Sequence, residues 1–249
     1  MTSSDATLAQ DVLGKLTGGL IVSVQASSGE PLCAPEHLCA LALSAIAGGA
    51  CGLRLEGAHN IAYIRRHTQL PVIGLTKSEK VADADRLSSV YITSTFEEAE
   101  SISLAGADII AIDATLRPRP NGSTAKELIQ QIRGSLGKPV WADVSCVEEG
   151  LAAASAGADV VSTTLSGYTT ATCVDPESGP DMKLLEALCK QLSVPVVLEG
   201  RVWHPEEVRL AFELGAFATV VGSAITRPQL ITRRFVRAVP AQGQLKEKR

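Results

Sequence analysis

Eight short apolar runs recur along the chain, and two kinds of residue announce them in alternation. Four follow a Gly-Ala pair, at Gly49-Ala50, Gly106-Ala107, Gly157-Ala158 and Gly215-Ala216, and three follow a proline that precedes valine, at Pro71, Pro139 and Pro195. Gly19-Leu20-Ile21-Val22 supplies the first run. Short buried runs separated by helix-length stretches are the one-dimensional form of parallel strands joined by crossovers. Eight of them predict an α/β fold, a (β/α)8 TIM barrel. The 249 residues fit one such domain, with a core over about 18–239. Aromatic residues make up 4%, which leaves Val, Ile, Leu and Ala to fill the barrel.

The stretches between the runs are punctuated for helices. An amphipathic N-terminal capping helix is expected over 7–16, closing the barrel floor. Thr95 with Glu98, Thr124 with Glu127, and Ser145 with Glu148 have the spacing of capping boxes. No helix is legible between Lys77 and Thr95, so Val90-Tyr91-Ile92-Thr93 is expected as a small extra strand after the third, outside the barrel count. Leu165 to Pro180, with Gly167, Pro176, Gly179 and Pro180, is too long for a connector and suggests a lid. The polar tail 240–249 is expected to be frayed.

A net charge of −4 argues against nucleic-acid binding, which calls for a basic face. No apolar run reaches the roughly 18–20 residues that span a membrane, and Met1 to Gln10 has no leader pattern. The six cysteines form no C-x-x-C pair, and His37, His59, His67 and His204 show no ligand spacing. Reduced thiols, no structural zinc and a cytoplasmic location are expected.

In a barrel the chemistry sits at the carboxyl ends of the strands. Those ends carry Gln25, Arg54 with Glu56, Lys77, Asp113, Asp143, Thr163 with Thr164, Glu199 with Arg201, and Gly222 with Ser223. Lys77 closes Pro71-Val72-Ile73-Gly74-Leu75; desolvated beside another cation it could act as a base or form a Schiff base, and the plain alternative is a solvated lysine like Lys80. Glu199, after Val194-Pro195-Val196-Val197-Leu198, suits acid–base work, a sugar hydroxyl, or a structural ion pair with Arg54 or Lys77. Arg54 points either into the barrel, where it needs an anionic partner, or outward among helices. Asp143 could serve the site or cap a helix, and Asp113 could serve it or make an Asx turn. His204 reads as a helix-start residue. A phosphate position is suggested by Gly200 and Arg201 after the seventh strand, with Gly222, Ser223 and Arg227 after the eighth.

Gly18 to Ala26, Val90 to Thr93, Ala105 to Thr115, Thr163 to Thr169 and Val221 to Pro228 together resemble the N-acetylmannosamine-6-phosphate 2-epimerases of sialic-acid breakdown. The resemblance spans 18 to about 239. It implies interconversion of N-acetylmannosamine 6-phosphate and N-acetylglucosamine 6-phosphate, with no metal and no organic cofactor. It carries Lys77 and Glu199 over as catalytic residues, Gln25, Arg54 and Asp143 as substrate-binding residues, and Arg227 as the phosphate-binding arginine. Thr164 joins them as a candidate hydroxyl. It also implies a homodimer contacting through the C-terminal helix. Ser94, Ser162 and His204 depart from the family's usual proline, glycine and threonine. A Schiff-base aldolase and a non-catalytic phosphosugar-binding barrel are the alternative readings.

Overall fold

Eight parallel strands close into a barrel in sequence order, β1 pairing with both β2 and β8. The computed structural model describes residues 10–78, 85–175 and 177–240. The strands are β1 Leu20–Val24, β2 Gly52–Glu56, β3 Val72–Leu75, β4 Ile109–Asp113, β5 Val140–Asp143, β6 Val160–Ser162, β7 Val196–Glu199 and β8 Ala218–Val221. Between them lie α1 Pro35–Ala47, α2 Ala58–Arg65, α3 Phe96–Leu104, α4 Ala125–Gln131, α5 Val147–Ala156, α6 Met182–Gln191 and α7 Pro205–Glu213, then α8 Ser223–Thr226 and α9 Pro228–Arg237 after β8.

The alternation in the sequence has a physical cause. Each Gly-Ala pair ends a helix in a Schellman motif. Gly49, Gly106, Gly157 and Gly215 all have φ near +100°, a region costly to any residue with a Cβ. The following alanines return their N–H to the carbonyl five residues back, as in Ala107 to Ile102 and Ala158 to Ala153. The prolines instead start β3, β5 and β7. Proline has no N–H to give, and its carbonyl opens the ladder: Pro71, Pro139 and Pro195 accept from Leu53, Ile110 and Val161. The first strand N–H after two of these prolines is met by an aspartate, Asp108 for Val72 at 2.9 Å and Asp159 for Val140 at 2.8 Å. Arg65 and Arg133 neutralise those two aspartates.

Side chains alternate across each strand. Val22, Val24, Leu53, Leu55, Ile110, Ile112, Ala142 and Leu198 pack outward in the cluster shared with the helices. Ile21, Ile73, Leu75, Ile109, Ala111, Trp141, Val197 and Val220 fill the interior. Leu16, fully buried, plugs the floor; a Cβ on Gly52 would come within 2.5 Å of it, so glycine there makes room for the plug. The described part of the N-terminal helix covers 10–14, and residues 7–9 of the expected helix and the tail from 241 lie outside the described residues.

Two local expectations change. Residues 90–93 form no strand ladder; one antiparallel bridge, Lys77 to Ile92, ties them to the end of β3, with Ser78 N donating to Tyr91 O and Thr93 N to Thr76 O. Ser145 does not cap α5, whose N-cap is Cys146. Instead the buried Glu149 reaches back from the first turn to accept from Ser145 N and Oγ at 2.7 and 2.8 Å. Thr124 and Glu127 do form the reciprocal box, and Thr95 accepts from Glu98 N as expected. His204 is the N-cap of α7, and Glu207 accepts from its N–H at 3.0 Å.

Candidate active site

The inward parity of the strands, continued one or two residues past their ends, delivers a chain of polar groups to one rim. Ser23 and Gln25 follow Ile21 on β1, Lys77 follows Ile73 and Leu75 on β3, Asp143 follows Trp141, Thr164 follows Val160 and Ser162, and Glu199 follows Val197. A cavity of about 490 Å³ opens above them.

Arg54 is inward, resolving its ambiguity, and it has two anionic partners. Its Nη2 lies 2.6 Å from Asp143 Oδ2 and its Nε 3.2 Å from Glu199 Oε1. Arg54 is 1% exposed and Asp143 fully buried, while Glu199 keeps 12% of its side chain open to the cavity. Thr164 Oγ1 is within 2.7 Å of Asp143 Oδ1 and 3.0 Å of Glu199 Oε2, so its single proton is shared between two carboxylates. Ser162, a departure from the family's glycine, adds a third hydroxyl contact, 2.8 Å from Thr164 Oγ1. Buried Arg54 Nη1 has no hydrogen-bond partner among the described residues.

These positions set the protonation states. Burial pushes the Glu199 carboxyl up to about 7; the charge of Asp143 adds to the rise, and Arg54, Thr164 and Lys77 oppose it without cancelling it. Burial also lowers the Lys77 ammonium, and the nearby guanidinium groups of Arg54 and Arg86 push the same way, against Glu56 and Glu199. Glu56 Oε2 stands 3.9 Å from Lys77 Nζ, and a third of the Lys77 side chain remains accessible from the cavity. Lys77 and Glu199 therefore share a cavity and influence each other's charge.

The cavity wall includes Gln25, Arg54, Lys77, Thr164 and Glu199, together with Gly200, Arg201, Gly222, Ser223 and Arg227. Asp143 stands behind Arg54, away from the wall, and acts on the cavity through Arg54 and Thr164. Asp113 has no part in the wall: its Oδ1 accepts from Thr115 N and Oγ1, and its Oδ2 pairs with Arg117, so it is the turn-making residue of the two readings. Arg201 is largely spent on the β6–α6 loop. It donates to Ser166 O and Gly179 O and lies over the Tyr168 ring, at a strained φ of +56°. Gln25 Nε2 is held by Ser23 Oγ at 2.8 Å. Gly222 abuts β1, where a Cβ would lie 3.2 Å from Ser23 Cβ, and Thr226 Oγ1 donates to Ser23 O, fixing α8 against the rim.

Sequence reasoning missed several wall groups. Tyr91 lines the cavity with its phenol pushed up to about 12, first by burial, and with Arg86 and Arg117 over its ring. From α9, Arg233, Arg234 and Arg237 also face the cavity. Arg234 and Arg237 pair with Glu177 of the long loop, and Arg234 stacks 4.3 Å from the Trp203 ring. The signal was available: 230, 233, 234 and 237 lie at helical spacing and form one stripe. Seven arginine and lysine side chains face two glutamates on the wall, so an anionic ligand is favoured.

Comparison with known proteins is consistent with that charge. Residues 38–241 match the family model described as "Putative N-acetylmannosamine-6-phosphate epimerase". A relative from Caldanaerobacter subterraneus subsp. tengcongensis, named "Putative N-acetylmannosamine-6-phosphate 2-epimerase", is 47% identical over 228 residues, covering 91% of this chain and 93% of its own length. One of the same name from Synechococcus elongatus is 44% identical over 235 residues, 94% of this chain and 98% of its own. The solved N-acetylmannosamine-6-phosphate 2-epimerase from Clostridium perfringens superposes with a TM-score of 0.85 at 42% identity, over 91% of this chain and 96% of that one. A thiamine phosphate pyrophosphorylase from Pyrococcus furiosus, 16% identical with a TM-score of 0.56, shares the fold alone.

Proposed function

The chain belongs to the N-acetylmannosamine-6-phosphate epimerase family, and from that premise we propose how its rim interconverts N-acetylmannosamine 6-phosphate and N-acetylglucosamine 6-phosphate in amino-sugar degradation. The two sugars differ only at C2. The C2 proton is acidic only when C1 is a carbonyl, so the ring opens first. Loss of that proton gives an enolate with its charge on O1, and protonation from the other face inverts the centre.

The observation that carries this reading is the Lys77–Glu199 pair on one cavity wall, with a depressed ammonium and a carboxyl near 7. Glu199 is poised to exchange a proton near neutrality, where general acid–base catalysis is most effective, and the lowered pKa of Lys77 brings its neutral form within easier reach. Lys77, neutral, removes the C2 proton. Glu199, protonated, delivers one to the opposite face, and the pair exchanges roles in the reverse direction. Arg54 stabilises the charge that develops on O1 through the donor its ion pairs leave over, an electrostatic contribution made in a desolvated setting. Asp143 is a positioning residue that holds Arg54 and Thr164. Gln25 and Thr164 bind substrate oxygens. The phosphate lies toward Gly200, Gly222, Ser223 and Arg227, with Arg201 holding the loop that covers it.

The reading is tested by incubating the enzyme with N-acetylmannosamine 6-phosphate in D2O and following C2 by NMR. N-acetylglucosamine 6-phosphate carrying deuterium at C2 is expected, and Lys77→Ala should lower turnover by several orders of magnitude while keeping the fold. Cleavage fragments would favour a Schiff-base aldolase, and an unchanged substrate a binding protein.

Two finer statements belong to the same proposal. The enzyme works in the cytoplasm, which suits its six free cysteines; no helix among the described residues is long and apolar enough to cross a membrane. It forms a homodimer through α9. No residue of α9 is buried, and opposite its arginine stripe Phe235 and Val236 are 74% and 61% exposed, with Val239, just past the helix end, 67% exposed. An apolar stripe of that kind suits a subunit contact.

A further inference from the structure

Glu30 already occupies the guanidinium that the phosphate needs. It lies in the β1–α1 loop, held between two turns in which Glu30 N donates to Ser27 O and Cys33 N to Glu30 O, each at 3.1 Å. One carboxylate oxygen pairs with Arg227 Nη2. The other accepts from Gln229 Nε2 at 3.0 Å. Arg227 lines the cavity, and its Nε is buried with no hydrogen-bond partner among the described residues. The carboxylate is thus tethered at both oxygens to the segment that follows β8, on the side of the cavity where the substrate's dianion would sit.

Two anions on one guanidinium repel, and the phosphate offers the stronger set of charge-assisted contacts. Resting on the function proposed above, we propose that Glu30 is a built-in competitor for the phosphate position: it fills Arg227 in the free protein and is displaced when the phosphosugar binds. The cost of displacement is the same for every ligand that uses Arg227. Small anions such as inorganic phosphate, which have no sugar contacts to offset it, are thereby kept off the site. The phosphosugar retains its contacts to the rim and still binds, and the returning carboxylate hastens release of the product. If Glu30 only braced Arg227 for the phosphate, its removal would have the opposite sign.

The test is calorimetric titration of the full chain with inorganic phosphate at low ionic strength, for the wild type, Glu30→Gln, Gln229→Leu and Arg227→Ala. Glu30→Gln keeps the shape and removes the charge. It is expected to bind phosphate at least about tenfold more tightly, the scale of relieving one carboxylate's repulsion of a nearby dianion in a solvent-open site. The KM for the phosphosugar should fall with it. Gln229→Leu, which frees only one tether, should shift affinity in the same direction by a smaller factor and guards against a misfolded first variant. Unchanged or weaker phosphate binding in both variants overturns the proposal. The reading of the phosphate site is checked separately: it fails if Arg227→Ala binds phosphate like the wild type, it stands without a competing Glu30 if Arg227→Ala loses affinity and Glu30→Gln is unchanged, and it stands with Glu30 as a brace if both lose affinity.

Discussion

Arg54 is the residue whose loss should cost most, and the cost should depend on pH. Arg54→Met keeps most of the volume beside Trp141 but leaves Asp143, fully buried, and Glu199, 12% exposed, without their shared cation. Removing one partner of a buried ion pair costs about 3–5 kcal/mol because the other charge stays buried. Against a total stability of roughly 5–15 kcal/mol that is a large share. At about 2–4 °C per kcal/mol for a domain of this length, Tm should fall by roughly 6–20 °C. The sign with pH follows from Glu199. Its folded pKa of about 7 lies above its ordinary value of 4.5, so the native state holds a proton that the unfolded chain releases between those values. Stability from that proton is fully present below about 4.5 and is lost as pH rises through 7. Without Arg54 the folded pKa climbs further, so the penalty of the substitution should be greatest at pH 8 and shrink toward pH 5.5. Urea unfolding followed by the fluorescence of Trp141, fully buried inside the barrel, measures both. A variant within about 1 kcal/mol of the wild type at pH 8, or equally destabilised at both pH values, would show that the three-residue network does not behave as a buried ion pair.

Glu199→Gln should remove the limb near pH 7 from the pH profile of kcat/KM and lower the rate by about 10²–10⁴-fold, the usual worth of a proton-transfer group; a profile that keeps that limb assigns the titration to another group. Light scattering of the wild type should give twice the 26.1 kDa chain mass, and Phe235→Glu should halve it without loss of helical signal. A wild-type mass of a single chain removes the dimer from the proposal.

The sequence disclosed the barrel because both of its punctuation marks are local. A Schellman glycine is fixed by backbone bonds within six residues, and a strand-opening proline is marked by its own missing N–H, so Gly157-Ala158 and Pro139 could be read without knowing what they pack against. The groups proposed for acid–base work were found for a related reason: Lys77 and Glu199 stand at strand ends, and the position of a strand end in a barrel follows from the topology. Direction was harder. Leu53-Arg54-Leu55 reads alike with either face inward, and only the pairing of Arg54 with Ser23 and Ile73 fixes it. Groups whose partner lies on a distant loop were beyond such reasoning. Arg201 looks like a phosphate ligand until Ser166 and Gly179 are seen to claim it. Glu30 carries no signal at all, since its importance arises from meeting Arg227 across the rim. Side chains fixed to strand parity are therefore placed by the fold, whereas those on the loops are placed by partners far away along the chain.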